Sequence, residues 1–267
     1  MPLRRMLAGM LAAAALVGAA QYLRPGNRWA KYEHEMQNPV DDPPDALVPA
    51  EFAFARLRFR SPRDGYFRRH LRWGTDTNKS DRIFMQAIRR LTRVNTRSIE
   101  EVVDIDEDEM FNWPFLYAVG VGDWEFSDAQ AKRLRRYFDN GGFLMVDDFH
   151  NEREWAVFMA GIHKIFPERE AVEISDDHAI WTVAYDTRQR YHIPGYNIVY
   201  GQPWERGGIG EHYRAILDER GRVVVAICFN MDLGDAWEWA DVPEFPEKVS
   251  ALALRVGVNY VLYDMTH

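Results

Sequence analysis

The chain has 267 residues, of which 47% are hydrophobic and 13% aromatic, so it can bury one substantial core rather than the cores of two full domains. Its 41 acidic residues outnumber its 33 Lys and Arg residues, which gives a formal net charge of -8. This balance argues against a nucleic-acid-binding protein and against attraction to an anionic membrane surface, because both require excess positive charge.

The N-terminal segment has the parts of an export signal. Arg4 and Arg5 precede the apolar run 6–20, which ends in small residues. This pattern predicts a signal peptide over residues 1–20. A retained anchor is the alternative, although the run is shorter than the roughly 20 apolar residues that span a bilayer. We expect an exported protein, in the periplasm or on the outer face of the cytoplasmic membrane, with membrane contact only through this segment if it is uncleaved.

Residues 21–50 are polar and rich in proline, which predicts a linker that is either a tether or an arm lying on the surface. A single α/β domain is expected over residues 51–267. Apolar and polar residues alternate over 52–59, which indicates a first strand with one wetter face. Residues 80–92 have the apolar spacing of a helix, and Arg82 is expected on its solvated side.

Strands and helices alternate through most of the remaining sequence. Apolar runs predict strands near 99–103, 114–119, 143–146 and 222–229. Helices are expected from Ser127, where Gln130 completes the spacing of a capping box, from Asn151 and after Pro246. Residues 171–213 lack a clear period and predict a loop-rich excursion that forms a lid. The alternation indicates three layers, with a doubly wound, mainly parallel sheet between helices.

The single cysteine, Cys228, lies within the apolar run 223–229. No internal disulfide can form, so the fold depends on its core even in an oxidising compartment. We expect a buried structural thiol, because free cysteine commonly packs as a small hydrophobic residue.

Ligands of parallel sheets bind beyond the carboxyl ends of the strands. Three polar segments follow apolar strands here: 120–128, 147–151 and 230–239. The first contains Asp123 and Trp124 and leads into a helix, whose free amides favour an anion. The alternative is that Gly120 and Gly122 simply make a tight turn and Ser127 caps the helix.

Asp147 and Asp148 end the most apolar strand and are the sharpest candidates for a site. Successive side chains alternate along a strand, so we expect one carboxylate to accept backbone amides while the other faces the cleft. Asp147, Asp148 and His178 are the candidate catalytic residues, and a purely structural role for both aspartates is the alternative.

Two histidines provide further candidate residues. His150 lies just past the acidic strand end, and His178 follows two acids that can orient its imidazole. Their spacing matches no compact metal motif, so we expect no cofactor, with a divalent metal as the alternative. Asp232 and Asp235 lie on a predicted turn before Trp237. Acids beside aromatic rings suit sugar-like ligands or calcium, although an aromatic cover of the sheet edge has the same pattern.

Several segments resemble, in the same order, the bacterial domain-of-unknown-function family 4159. They are Phe115–Gly120, Phe126–Asp128, Leu134–Phe138, Gly141–Asp148, Asp177–Ile180, Asp232–Gly234 and Trp237–Glu238. The resemblance implies a flavodoxin-like sheet related to the class I glutamine amidotransferases. In those enzymes the strand that corresponds to 143–146 leads into an elbow with a nucleophilic cysteine. Here Asp147 and Asp148 follow instead, so Cys-dependent glutamine hydrolysis is not expected.

The sequence thus predicts a binding domain for a polyhydroxylated or anionic small ligand, or for an envelope partner protein, at the carboxyl ends of the strands. The expected ligand-binding residues are Asp123, Trp124, Asp148, His150, Asp232 and Trp237. The alternative is a hydrolase without a Cys nucleophile, in which Asp147 or Asp148 acts with His178, with or without a metal. Whether the protein is an enzyme stays open.

Overall fold

A computed structural model describes residues 30–64 and 70–267. The expected export segment, residues 1–20, lies outside the described residues, as do residues 21–29 of the predicted linker. Within the described ranges, the helices are too short or too polar to cross a bilayer.

Seven strands form one sheet in the described chain. They are β1 (Ala55–Arg58), β2 (Glu101–Asp104), β3 (Phe115–Val119), β4 (Phe143–Phe149), β5 (Val172–Glu173), β6 (His212–Leu217) and β7 (Val223–Phe229). Their order is β2-β1-β3-β4-β7-β6-β5. The first five in this order are parallel, whereas β6 and β5 extend the sheet in antiparallel pairing. The predicted α/β class with a mainly parallel sheet is confirmed.

Helices cover both faces of the sheet. They are α1 (Lys79–Leu91), α2 (Asp128–Asp139), α3 (Asn151–Ile165), α4 (Leu233–Glu238) and α5 (Glu247–Thr266). One hydrophobic cluster joins α2 and α3 to alternate residues of β3 and β4, such as Leu116 and Leu144. A second cluster joins α1, α4 and α5 to the intervening residues, such as Phe115 and Phe143. Successive side chains of β3 and β4 therefore point to opposite faces of the sheet, where they pack into two separate cores.

Local sequence signals place several of these elements. Ser127 Oγ accepts from the amide of Gln130 at 3.2 Å, and Gln130 Oε1 accepts from the amide of Ser127 at 2.9 Å, which confirms the capping box at α2. Cys228 is fully buried in β7, and burial raises the pKa of its thiol well above the usual value. Its predicted burial is confirmed.

Two arginines that were expected on wet surfaces are buried. Arg56 in β1 has no exposed surface, and its Nε lies 2.9 Å from Asp81 Oδ2. Arg82 in α1 is 8% exposed, and its Nε lies 3.0 Å from Glu100 Oε2. The predictions of a wetter face on β1 and of a solvated Arg82 are wrong, because buried carboxylates compensate both charges.

The described part of the proline-rich segment packs against the domain. Glu35 accepts hydrogen bonds from Arg58 Nε and Trp73 Nε1, both at 2.8 Å. Asn38 Nδ2 donates to Glu238 Oε1 at 2.5 Å, and the amide of Val40 donates to Asn78 Oδ1 at 2.9 Å. Of the two expected arrangements, the described residues therefore adopt the arm on the surface.

Candidate functional site

Asp147 connects β4 to α4. Its side chain is fully buried, and Oδ2 accepts from the amides of Leu233 and Gly234 at 2.7 and 2.8 Å and from Tyr117 OH at 3.1 Å. These amides begin α4, where a carboxylate satisfies free backbone donors. Burial, with a smaller contribution from the Asp148 charge, raises the pKa of Asp147 to about 8. Asp147 thus has the amide-accepting role expected of one carboxylate of the pair.

Asp148 faces a different group of residues, because β4 is irregular here. The pairing of β4 with β7 shifts register between Val146 and Phe149, and Asp148 has a left-handed φ of 51°. Its Oδ1 accepts from Arg206 Nη2 at 2.5 Å and lies 3.4 Å from His150 Nε2. Burial alone would raise the pKa of Asp148, but the guanidinium of Arg206 and the adjacent imidazole of His150 outweigh it and lower that pKa well below its usual range.

Five further carboxyl groups lie at the same edge of the sheet, and we call them the carboxylate cluster: Asp76, Glu205, Asp232, Asp235 and Glu238. Asp76 precedes α1, Asp232 caps α4, and Asp235 lies within α4. Glu205 comes from the loop-rich segment between β5 and β6. The segments after β1, before β6 and after β7 thus bring acids together beyond the carboxyl ends of parallel strands.

The oxygens of the cluster form two overlapping groups. One oxygen from each of Asp76, Asp235 and Glu238 lies within 4.8 Å of the others, and the same holds for Glu205, Asp232 and Asp235. Calcium–oxygen distances of about 2.3–2.6 Å place ligands on opposite sides of the ion about 5 Å apart. Because the two groups share Asp235, the cluster is treated as one position for a divalent cation. Donor sets made only of oxygen favour Mg²⁺, Ca²⁺ or Mn²⁺.

Burial and mutual repulsion control the protonation of the cluster. Burial comes first and neighbouring carboxylates second in raising the pKa of Asp76 and Asp232 well above the usual value. The same causes raise the pKa values of Glu205 and Glu238 to about 7. The cluster therefore contains more negative charge than the surrounding side chains neutralise.

Two oxygens of the cluster are buried without a hydrogen-bond partner among the described residues: Asp76 Oδ2 and Glu238 Oε2. Asp76 is 1% exposed and Glu238 is fully buried. Buried polar atoms are nearly always paired in folded proteins, so two orphans in one group of three carboxylates indicate a missing partner.

Gly195 lies directly against the other group of three. A Cβ atom built at this position would lie 2.2 Å from Glu205 Oε1, 2.7 Å from Asp235 Oδ2 and 2.9 Å from Asp232 Oδ2. Its φ of -75° is available to any residue, so the glycine is required by space rather than by backbone conformation. The absence of a side chain leaves the three carboxylates facing each other.

Strained backbone is concentrated at this edge. In the described chain, the residues other than glycine with positive φ are Asp76, Asp148, Asn151, Arg206 and Asn230. Asp76 belongs to the cluster and Arg206 contacts Asp148, while the Oδ1 atom of Asn230 accepts the amide of Asn151 at 2.9 Å. Left-handed backbone costs roughly 1–2 kcal/mol per residue, and such strain is typical of functional sites.

Asp123, a predicted ligand residue, borders this edge within a charged network. It is 5% exposed, and its carboxylate lies 2.9 Å from Arg72 Nε and 3.2 Å from Arg153 Nη2. Burial opposes ionisation, but these arginines prevail and lower the pKa of Asp123. Glu154 links the network to Arg206, because its Oε1 lies 3.5 Å from both Arg72 Nη2 and Arg206 Nε.

The two predicted aromatic ligands lie in the cores. Trp124 is 3% exposed and stacks on Phe158 with ring centroids 5.2 Å apart. Trp237 is fully buried and stacks on Phe84 at 4.2 Å. Neither ring is available to a ligand, so the structure contradicts this part of the predicted site. Residues 232–239 form the cap and body of a helix rather than a turn, and this turns the Trp237 ring inward.

Other aromatic residues lie beside the cluster. Tyr196 and Trp239 are partly exposed, with ring centroids 4.3 Å apart. Both are tied to Asp235, which accepts from the amide of Tyr196 at 2.7 Å and from Trp239 Nε1 at 3.2 Å. They provide the aromatic surface that was expected from Trp237.

His178 lies at the opposite edge of the sheet. It lines a cavity of about 890 Å³ together with Gly141 and Arg222, which precede β4 and β7. Its Nδ1 accepts from the amide of Ile180 at 3.2 Å. The structure therefore does not bring His178 together with Asp147 or Asp148, which contradicts a mechanism that combines them.

Asp76, Glu205 and Glu238 were not predicted as site residues. Glu205 lies in the aperiodic excursion, and Asp76 lies in a segment without a recognisable pattern. Glu238 could have been predicted from the sequence. Asp232, Asp235 and Glu238 are each three positions apart, and this spacing places acidic side chains on one face of a helix.

Fold and site together define an α/β protein with a buried, carboxylate-rich centre at the carboxyl ends of parallel strands. Residues 53–265 match the family model described as a domain of unknown function (DUF4159). The chain belongs to this family. The curated proteins that were searched include no match.

Proposed function

We propose that the carboxylate cluster binds a divalent cation and that the protein is a cation-dependent binding domain for a hydroxyl-rich small ligand. The observation that carries this proposal is the pair of buried, unpartnered oxygens, Asp76 Oδ2 and Glu238 Oε2, within one group of three carboxylates. A cation between them gives both oxygens a partner and removes the repulsion that raises their pKa values.

The charge balance favours a cation over an anionic ligand. Two like charges about 4.8 Å apart repel by roughly 3–4 kcal/mol at an effective dielectric constant of 20. The cation Arg206 is already engaged with Asp148, and Arg56 with Asp81. An anion would add to the repulsion, whereas neutral hydroxyl oxygens can complete the coordination of a bound cation.

The ligand is proposed to enter from the side of Glu205 and Asp235, because these carboxyl groups are partly exposed while Asp76 and Glu238 are buried. Tyr196 and Trp239 border this side. A sugar-like ring can stack on these aromatic faces while its hydroxyl groups reach the cation.

A metal-assisted hydrolase is the second candidate function. Glu205 is partly exposed, and burial with repulsion from Asp148 raises its pKa to about 7, which suits a general base at neutral pH. In this case the cation would polarise the substrate or the attacking water. Cation-dependent turnover of ester or glycoside substrates that disappears in Glu205→Gln would favour this candidate.

Two broader assignments complete the proposal. We propose that the protein is exported through residues 1–20, which mass spectrometry of the mature N-terminus would test.

We also propose that its sheet is flavodoxin-like and related to that of the class I glutamine amidotransferases. The left-handed φ of 51° at Asp148, near the end of β4 and shortly before α3, supports this kinship, because a strained strand-to-helix elbow is the site of the nucleophile in such folds.

Metal analysis and thermal unfolding test the cation proposal together. A ligand at 100 times its Kd stabilises the native state by about 2.7 kcal/mol, which corresponds to a Tm rise of roughly 5–10 °C for a domain of this size. We expect this rise with Mg²⁺, Ca²⁺ or Mn²⁺, and its loss in Glu238→Gln. Glu170→Gln is the matched control, because the Glu170 side chain is 77% exposed. Absence of bound metal and of any Tm rise would contradict the proposal.

A further inference from the structure

We infer that a second cation position adjoins the carboxylate cluster and that it takes a transition metal such as Mn²⁺. Asp148, His150 and Glu205 form this position, since one ligand atom from each lies within 4.8 Å of the others. The inference rests on the proposed cation binding and adds a second metal of different chemistry. The imidazole nitrogen distinguishes this position, because Mg²⁺ and Ca²⁺ select oxygen whereas imidazole suits transition metals.

His150 provides the independent observation. It is 2% exposed, and neither Nδ1 nor Nε2 makes a hydrogen bond with the described residues, although Nε2 lies 3.4 Å from Asp148 Oδ1. Its backbone is fixed, because its amide donates to Glu154 Oε2 at 2.8 Å at the start of α3. A buried imidazole normally has at least one nitrogen hydrogen bonded or bound to a metal. A cation beside Asp148 and Glu205 would occupy one of these nitrogens.

Glu205 connects the two positions. It belongs to the group with Asp148 and His150 and also to the group with Asp232 and Asp235. A carboxylate has two oxygens and can bind one cation with each, and metal ions in two-metal sites lie about 3.5–4 Å apart. The shared residue therefore gives the geometry of a bridged pair.

Arg206 is the competing source of positive charge. Its guanidinium donates to Asp148 Oδ1 and lies 3.5 Å from Glu154 Oε1, and the side chain is 27% exposed. A guanidinium can only donate hydrogen bonds, and Arg206 leaves both ring nitrogens of His150 without a hydrogen bond to the described residues. Arg206 thus neutralises Asp148 without giving His150 a partner, which is why we assign a metal to this group of three residues.

Calorimetric titration of the full chain with Mg²⁺ and with Mn²⁺ tests the inference. We expect one Mg²⁺ and two Mn²⁺ per chain. His150→Asn should reduce the Mn²⁺ stoichiometry to one and leave Mg²⁺ binding within about twofold. His163→Asn is the matched control, because His163 lies in α3, which His150 precedes, and its side chain is 42% exposed; this variant should retain two Mn²⁺.

The outcomes separate this inference from the proposed function. One Mn²⁺ per chain that His150→Asn does not change would overturn the second position and leave the first intact. No binding of either metal would overturn both. If His150→Asn does not fold, electron paramagnetic resonance of the unaltered chain decides, because two bridged Mn²⁺ ions give a spin-coupled spectrum. The spectrum of isolated Mn²⁺ ions at saturation would overturn the inference.

Discussion

A carboxylate oxygen of Asp76 lies within 4.8 Å of one from Glu238, although the two residues are far apart in sequence and both are buried. Asp76 has a left-handed φ of 60°, and Glu238 ends α4, which Asp147 anchors to the sheet. Strain, burial and like charge thus coincide at one contact. Because each of these destabilises the native state, the contact fits the proposed cation site, where a bound cation would offset the cost.

Removing one of these charges should stabilise the metal-free protein. At pH 8 we expect Asp76→Asn to increase the free energy of unfolding without metal by at least about 1 kcal/mol, since one pKa unit corresponds to about 1.4 kcal/mol. The same variant should lose the Tm rise caused by cations. Urea unfolding with and without Mg²⁺ measures both effects. A less stable metal-free variant would show that Asp76 is structural.

Replacing the Asp81 carboxylate by an amide should instead lower the free energy of unfolding. Asp81 and Arg56 are both fully buried, with Asp81 Oδ1 2.5 Å from Arg56 Nη2. Asp81→Asn would leave an uncompensated buried guanidinium and should destabilise the protein by about 3–5 kcal/mol. Urea unfolding at pH 7 checks this value. A loss below about 1 kcal/mol would show that other groups compensate the Arg56 charge.

Gly195→Ala tests the proposed cation site by adding a methyl group beside its carboxylates without changing their charge. The added methyl group would lie 2.2 Å from Glu205 Oε1 and 2.7 Å from Asp235 Oδ2, so these carboxylates must separate. We expect cation affinity to fall at least tenfold with no change in net charge. Gln202→Ala, an exposed position in the same segment, serves as the control. Equal affinities of both variants, measured by calorimetry, would place the cation elsewhere.

Cation affinity should rise with pH. Burial and neighbouring carboxylates raise the pKa values of Glu205 and Glu238 to about 7, so both bind protons near pH 6 that a cation must displace. Affinity should therefore increase between pH 6 and pH 8, by at most about tenfold per pH unit for each proton displaced. Calorimetry in two buffers of different ionisation enthalpy counts the released protons. An affinity independent of pH would contradict these assignments.

Asp264, at the opposite edge of the sheet, should make stability depend on pH. Burial raises its pKa to about 7 from the usual value of 3.8. The folded state thus binds this proton more tightly, so the stabilisation is complete below pH 4 and is lost as the pH rises to 7. The slope is at most about 1.4 kcal/mol per pH unit. Urea unfolding at pH 5 and pH 8 should show a smaller difference in Asp264→Asn than in the unaltered chain, and an equal difference would refute this role.

The core elements were predictable because they depend on local pattern. Continuous apolar runs indicated β3, β4 and β7, and the spacing of Ser127 and Gln130 indicated the start of α2. The position of Asp147 and Asp148 at the carboxyl end of β4 was also predictable, because they directly follow its apolar run. These inferences required only residues close together in the chain.

The set of residues in the site could not be predicted in full, because it depends on contacts between segments that are distant in the sequence. Asp76, Glu205 and Glu238 meet only because the loops after β1, before β6 and after β7 converge. The burial of Arg56 and Arg82 likewise depends on carboxylates from other elements. Trp237 was misassigned because a short helix, rather than a turn, follows β7 and directs the ring into the core. Periodicity does not encode which segments approach each other.

An anomalous diffraction map of crystals grown with Mn²⁺ tests the central claim most directly. Cation binding predicts a strong anomalous peak about 2.1–2.3 Å from an oxygen of Asp76 and an oxygen of Glu238, because direct coordination of a divalent cation requires such distances. Glu238→Gln crystals grown in the same way should lose or greatly weaken this peak. An ordered carboxylate cluster without a peak at saturating Mn²⁺ would contradict the account.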